Sequence, residues 1–163
     1  MNMLSVNGQM REIPALVALL RSGEECDSLR EALSRAEWEV RFARTVREAL
    51  AVLRERPAGV LLSESQLSDG CSWKDLLDQC QGLDCPPMLI VTDRLADDRL
   101  WAEVLNLGGY DLLLRPFEPA EVLRVVSSAW LRWKQEWAYH GRKPPGFVAE
   151  TGLPAAGGGT VPC

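Results

Sequence analysis

Four residues of this chain follow short apolar runs and carry groups able to do chemistry. They are Arg21 after Ala15–Leu20, Glu64 after Gly59–Leu62 and Ser63, Thr92 after Met88–Val91, and Arg115 after Leu112–Leu114. A carboxylate can attack, hold a cation or pair with one, whereas a guanidinium presents a planar fork of N–H donors that matches carboxylate or phosphate oxygens. If Arg21, Glu64 and Arg115 meet, the expected chemistry is a standing ion-pair cluster in which two permanent cations flank one anion. The bland alternative leaves these charges in water, where an exposed pair contributes about 0–1 kcal/mol.

Other catalytic patterns are missing from the sequence. Ser63 has neither a neighbouring His nor a Gly-x-Ser-x-Gly elbow, and no Gly-rich phosphate or dinucleotide loop follows the first apolar run. Cys71, Cys80 and Cys85 are irregularly spaced and the single histidine, His140, is remote, so no zinc site is expected. With Cys26 and Cys163 the cysteines number five, an odd count in a chain without a secretion signal, and they are read as free thiols. Eighteen Lys and Arg stand against 23 Asp and Glu, a net charge of −5 that disfavours nucleic acid and anionic membrane as partners. The small basic group Arg132, Lys134, Arg142 and Lys143 is accordingly read as a solvated helix end. No apolar run approaches the roughly 20 residues of a membrane span, and a cytoplasmic location is expected.

The elements that must position these residues follow from hydrophobic period. Residues 15–20 read as a first strand, and Ser22-Gly-Glu-Glu25 has the form of a capping box opening a helix to about Ala36 with Leu29 and Leu33 inward. Glu24 and Glu25 fall in the first turn of that helix, where carboxylates suit the positive end of the dipole. A second strand at 39–43 precedes another capping box, Thr45-Val-Arg-Glu48, and a helix with Ala49, Leu50 and Leu53 on one face. Strands at 59–62, 88–91 and 112–114 alternate with helices at about 72–81 and 96–106, the latter closed by Gly108-Gly109. Pro119 opens a long fifth helix to about Tyr139.

Uninterrupted apolar strands alternating with helices imply an α/β fold, a doubly wound five-stranded parallel sheet of flavodoxin-like type with helices on both faces. Residues 14–139 are expected to form this domain. Residues 1–13 form an N-terminal extension, and the Pro- and Gly-rich segment 140–163 is read as a flexible tail with no output domain after it. On the fifth helix Leu123, Val126, Trp130, Trp133 and Trp137 recur at spacings of three and four. The early members suit the core, and Trp130, Trp133 and Trp137 are candidate partner contacts at the distal end.

In such folds ligands gather outside the carboxyl ends of the strands, here Leu20–Ser22, Ser63–Gln66, Thr92–Asp93 and Arg115–Pro116. The run Val60-Leu-Leu-Ser-Glu-Ser-Gln-Leu-Ser-Asp-Gly70 and the run Gly108-Gly-Tyr-Asp-Leu-Leu-Leu-Arg-Pro-Phe117, with Thr92 between them, resemble motifs of the receiver domain of two-component response regulators. The resemblance covers about Pro14 to Trp137. It places Glu64 at the phosphoacceptor aspartate, Thr92 at the phosphoryl-binding hydroxyl and Arg115 at the pairing lysine, and it implies a cis Arg115–Pro116 peptide. The aromatic switch position falls at Leu112, with Tyr110 two residues earlier and, by strand alternation, on the same side.

The sequence departs from that family where the chemistry lies. The acidic pair that holds Mg²⁺ falls at Leu20-Arg21 or Arg21-Ser22, neither of which supplies a carboxylate, and an arginine cation repels the metal. Glu64 carries its carboxylate roughly 1.5 Å farther out than Asp would, which misplaces the attacking oxygen in a transfer that depends on in-line positioning. The expectation is a degenerate pseudo-receiver: not an enzyme, using no metal or cofactor, and acting through protein partners independently of phosphorylation. The resemblance implies a histidine kinase or another signalling protein as partner, contacts through the fourth helix, fifth strand and fifth helix, and a homodimer through the last helix. The alternatives are a phosphoacceptor with altered ligands and a small-molecule binder in the strand-end crevice.

Overall fold

The computed structural model describes residues 13–68, 70–95 and 97–139; most of the expected N-terminal extension and the whole of segment 140–163 lie outside them. The elements run β1 (Ala15–Leu19), α1 (Gly23–Leu33), β2 (Glu39–Ala43), α2 (Val46–Glu55), β3 (Val60–Glu64), α3 (Trp73–Cys80), β4 (Met88–Asp93), α4 (Asp98–Leu107), β5 (Asp111–Leu114) and α5 (Pro119–Tyr139). All strand pairings are parallel, in the order β2-β1-β3-β4-β5.

Alternation along each strand divides the core in two. Val17, Leu19, Leu61, Leu89 and Val91 pack against α2, α3 and Val104 of α4. Leu16, Ala18, Val60, Leu62, Ile90 and Leu113 face α1 and α5. Both faces of the central strands are therefore covered, which is why these strands read as unbroken apolar runs.

Element ends depart from the sequence reading for local reasons. β3 continues to Glu64 and β4 to Asp93, since the ladder is a backbone structure and Glu64 pairs in register with Thr92 whatever their side chains. α4 starts at Asp98 rather than Ala96 because Asp97 caps it, accepting from the Leu100 amide at 2.8 Å. Gly108 ends α4 with φ 104°, a left-handed value that glycine adopts without steric cost. α3 carries a complete capping box, Ser72 with Asp75. The box expected at Ser22 forms only in half: the Ser22 hydroxyl accepts from the Glu25 amide, while the Glu25 carboxylate goes elsewhere.

The amino-terminal edge of the sheet is closed by aromatics. Trp130 meets Trp38 edge-on at 6.4 Å between ring centroids, and Trp133 stacks on Trp137 at 6.1 Å. A β-carbon on Gly59, just before β3, would lie 2.7 Å from Trp130 Cδ1 and 2.9 Å from Trp133 Cε3. The tryptophans named as candidate contacts are thus half-buried, Trp130 and Trp133 against the domain itself, and Leu131 between them is 54% exposed.

Candidate functional site

The four strand-end residues converge at the carboxyl edge of the sheet. Glu64 ends β3 with only 4% of its side chain exposed, and both carboxylate oxygens are engaged: Arg21 Nε donates to Oε2 at 2.8 Å and Arg115 Nη1 to Oε1 at 2.9 Å. Arg115 follows β5 at a cis peptide with Pro116 and is itself largely buried. Charge-assisted bonds of this kind are roughly twice as strong as neutral ones. Burial spares Arg115 and Glu64 much of the screening that weakens a surface pair.

The cluster is larger than the sequence reading had it. Glu25, assigned there to the helix dipole, is drawn inward: Arg115 Nη1 donates to both of its oxygens at 2.7 Å, and Arg94 Nη2 reaches Oε1 at 3.2 Å. A guanidinium out-competes the neutral amide that a capping box would have offered. The result is an alternating series, Arg21, Glu64, Arg115, Glu25, Arg94, that ties together the ends of β1, β3, β5 and β4 and the start of α1. Arg94 was missed because an exposed arginine in a loop carries no periodic signal; its place two residues after Thr92 was the only clue.

Thr92 is fully buried, and among the described residues its Oγ1 has no hydrogen-bond partner; Arg115 Nε is likewise buried without one. Beside them the Ser65 hydroxyl donates to Asp93 in a short hydrogen bond, and the Leu95 amide donates to the same carboxylate at 2.7 Å. Burial alone would push the Asp93 carboxyl up, but these two bonds and the nearby Arg115 charge outweigh it and hold the group below its ordinary value. Tyr110 and Leu112 do not share a side as alternation suggested. Tyr110 precedes β5 and packs toward α1 and α5, while Leu112 packs on the opposite core.

This geometry does not fit a divalent metal. Every oxygen of Glu25 and Glu64 accepts from a guanidinium. Arg21 adds a cation beside Glu64, and no group of three or more His, Cys, Asp or Glu able to hold a metal occurs among the described residues. The cluster opens into a cleft of about 480 Å³ lined by Arg21, Ser22, Glu25, Glu64, Arg94 and Arg115.

Five parallel strands in this order with helices on both faces match the flavodoxin-like receiver fold. Solved structures agree. The signal receiver domain described as that of a Luxo repressor protein of Vibrio parahaemolyticus superposes with a TM-score of 0.72 at 18% identity, over 80% of this chain and 99% of that one. The chemotaxis response regulator CheY4 of Vibrio cholerae gives 0.64 at 17% identity, over 72% and 99%. The beryllofluoride-activated NtrC4 receiver domain dimer gives 0.66 at 18% identity, over 73% and 98%. No protein-family model and no curated protein matches the sequence. No helix of the described residues is long and apolar enough to cross a membrane.

Proposed function

We propose that this chain is a pseudo-receiver, a signalling module that works by binding a protein partner and neither accepts nor transfers a phosphoryl group. One observation carries the reading: both oxygens of Glu64 are taken by Arg21 and Arg115, so the carboxylate at the phosphoacceptor position is neither free to attack nor accompanied by metal ligands. Glu64 supplies a permanent negative charge where phosphorylation would create a larger one of about −1.5 to −2. Such a site holds one state instead of switching between two.

The partner surface is the face of α4, β5 and α5. Trp101 is 47% exposed, Leu105 38% and Leu114 56%, an apolar group that water does not favour. The distal end of α5, with Leu131 open between the half-buried Trp130 and Trp133 and with Trp137 beyond, is where a second copy would pair. The NtrC4 relative is a dimer. The partner is a signalling protein of the kind receiver domains meet, a histidine kinase among them, and the expected location is cytoplasmic.

Incubation with a small phosphodonor and Mg²⁺, followed by intact mass measurement, tests the reading. No covalent phosphoryl adduct is expected, on the parent chain or on Glu64→Asp, because Arg21 still repels the metal. An adduct on the parent at Glu64 or at a neighbouring side chain would restore the phosphoacceptor alternative.

A further inference from the structure

A second opening lies at the amino edge of the sheet, away from the charged cluster. Both α2 and α3 run back from the carboxyl edge and end there, and a cleft of about 480 Å³ is bounded by Leu53, Glu55 and Pro57 on one side and by Leu83, Asp84 and Cys85 on the other. Its floor is apolar: Leu53 and Cys85 are buried, and Pro57 and Leu83 are half-buried. Its rim is acidic. Glu55 and Asp84 are exposed, neither side chain forms a hydrogen bond or ion pair among the described residues, and Arg54 is the one cation among the lining residues. Helix carboxyl ends carry partial negative charge on their last carbonyls, which adds to the preference for a cation.

The chain itself brings cations to this place. Trp133 of α5 donates a hydrogen bond to the Cys85 sulfur at the cleft wall and stacks on Trp137, so the helix passes beside the opening shortly before it ends at Tyr139. The next residues read His140-Gly-Arg-Lys-Pro-Pro-Gly-Phe-Val148, with cations at Arg142 and Lys143, no carboxylate before Glu150, and apolar Pro144, Pro145, Phe147 and Val148. The helix advances about 9 Å from Trp133 to Tyr139, and an extended chain from Tyr139 to Pro144 spans about 17 Å. The segment therefore has the length to turn back to the level of Trp133 and the cleft beside it. A Pro- and Gly-rich stretch of this kind has too little apolar surface to fold alone, and the cleft supplies what it lacks.

We propose that residues 142–148 of this chain dock in the amino-edge cleft, Arg142 and Lys143 meeting Glu55 and Asp84 while Phe147 covers Leu53, Pro57 and Leu83. The two surfaces are complementary in sign, cations against a rim with a surplus carboxylate, and in kind, an apolar side chain over an apolar floor. Tethering holds the segment at an effective concentration in the millimolar range, so modest contacts suffice to keep it in place. Docking ties the end of α5 to the ends of α2 and α3. It takes place at the opposite edge of the sheet from Glu64 and is independent of whether that carboxylate ever accepts a phosphoryl group.

Backbone NMR of the full isotope-labelled chain is the test. The amides of Phe147 and Val148 are expected to show heteronuclear NOE values like those of α2, unchanged when the protein is diluted. Phe147→Ser is expected to shift the amide resonances of Gly82, Leu83 and Asp84 and to leave those of Trp101 and Leu131 in place. Reversing the rim with Glu55→Lys and Asp84→Lys, both exposed side chains, or reversing the segment with Arg142→Glu and Lys143→Glu, is expected to drop the Phe147 NOE toward that of a free peptide. Combining the two reversals is expected to raise it again, because opposite signs then meet, a recovery that damage to the fold would not give. A Phe147 amide as mobile in the parent as in a free peptide, cleft resonances unmoved by Phe147→Ser, or docking that survives either reversal alone would overturn the proposal. So would order lost on dilution, which is the behaviour of a segment lent by a second copy. None of these substitutions touches the residues around Glu64, so the outcome of the phosphodonor experiment is read separately.

Discussion

The two edges of the sheet are held by opposite means. At the carboxyl edge five alternating charges join four strand ends and α1, whereas at the amino edge Trp38, Trp130 and Trp133 close over Gly59. Ion pairs with buried members are sensitive to the loss of either partner, because the survivor is left as an unpaired charge. Aromatic packing is sensitive to volume and indifferent to salt. One fold can thus keep a polar, site-forming edge and a dry structural edge, each with its own failure mode.

The largest break in that comparison is expected from Arg115→Met, which leaves the buried Glu64 and Glu25 with only the exposed cations Arg21 and Arg94. Urea denaturation at neutral pH should show a loss of about 3–5 kcal/mol. A loss no larger than that of a surface pair, about 0–1 kcal/mol, would overturn the pairing account. Gly59→Val attacks the other edge. Its side chain must push two indoles aside, at an expected cost of about 1–3 kcal/mol that does not change between low and high salt. A salt-dependent deficit there would contradict a purely steric origin.

The thiols near the dry edge sharpen the contrast with pH. Burial raises Cys80 to about 12, and burial raises Cys85 to about 11 against the opposing hydrogen bond from Trp133. Both raised values mean that the folded chain holds protons an unfolded thiol releases near pH 9. Their contribution is fully present below that pH and is lost as pH rises toward the folded values. Thiol labelling at pH 8 should run about a hundredfold slower at Cys85 and about a thousandfold slower at Cys80 than at an ordinary thiol; rapid labelling of Cys80 in the folded chain would contradict its burial. The smallest effect belongs to Arg94→Ala. Its guanidinium is mostly in water, and thermal denaturation should register about 0–1 kcal/mol, less at high salt.

Much of this was legible in the sequence, and the gaps have physical reasons. Strands buried on both faces write themselves as apolar runs, so ALVALL, GVLL and MLIV located the sheet and with it the strand-end positions of Arg21, Glu64, Thr92 and Arg115. Glu25 was misplaced because the third position of a helix suits a capping or dipole carboxylate equally well; only the three-dimensional arrival of Arg115 decides between that and an inward ion pair. Arg94 and the Ser65–Asp93 bond depend on loop geometry that no period encodes. Tyr110 was given the wrong side because alternation was extended one residue beyond the strand.

α4 is held by few fully buried groups. Of its ten residues only Val104 is buried, and there the Gly109 amide bonds the Val104 carbonyl at 2.8 Å while a β-carbon on Gly109 would strike Val104 at 2.5 Å. Nearer its start Leu100 packs against the core, Trp101 Nε1 donates to Asp111 at 3.2 Å and Glu103 pairs with Lys74. A helix held mostly by partly exposed contacts shifts at modest cost, so amide exchange should run faster in its first turns than in β3, and a docking protein could reshape it while the charged edge stays still.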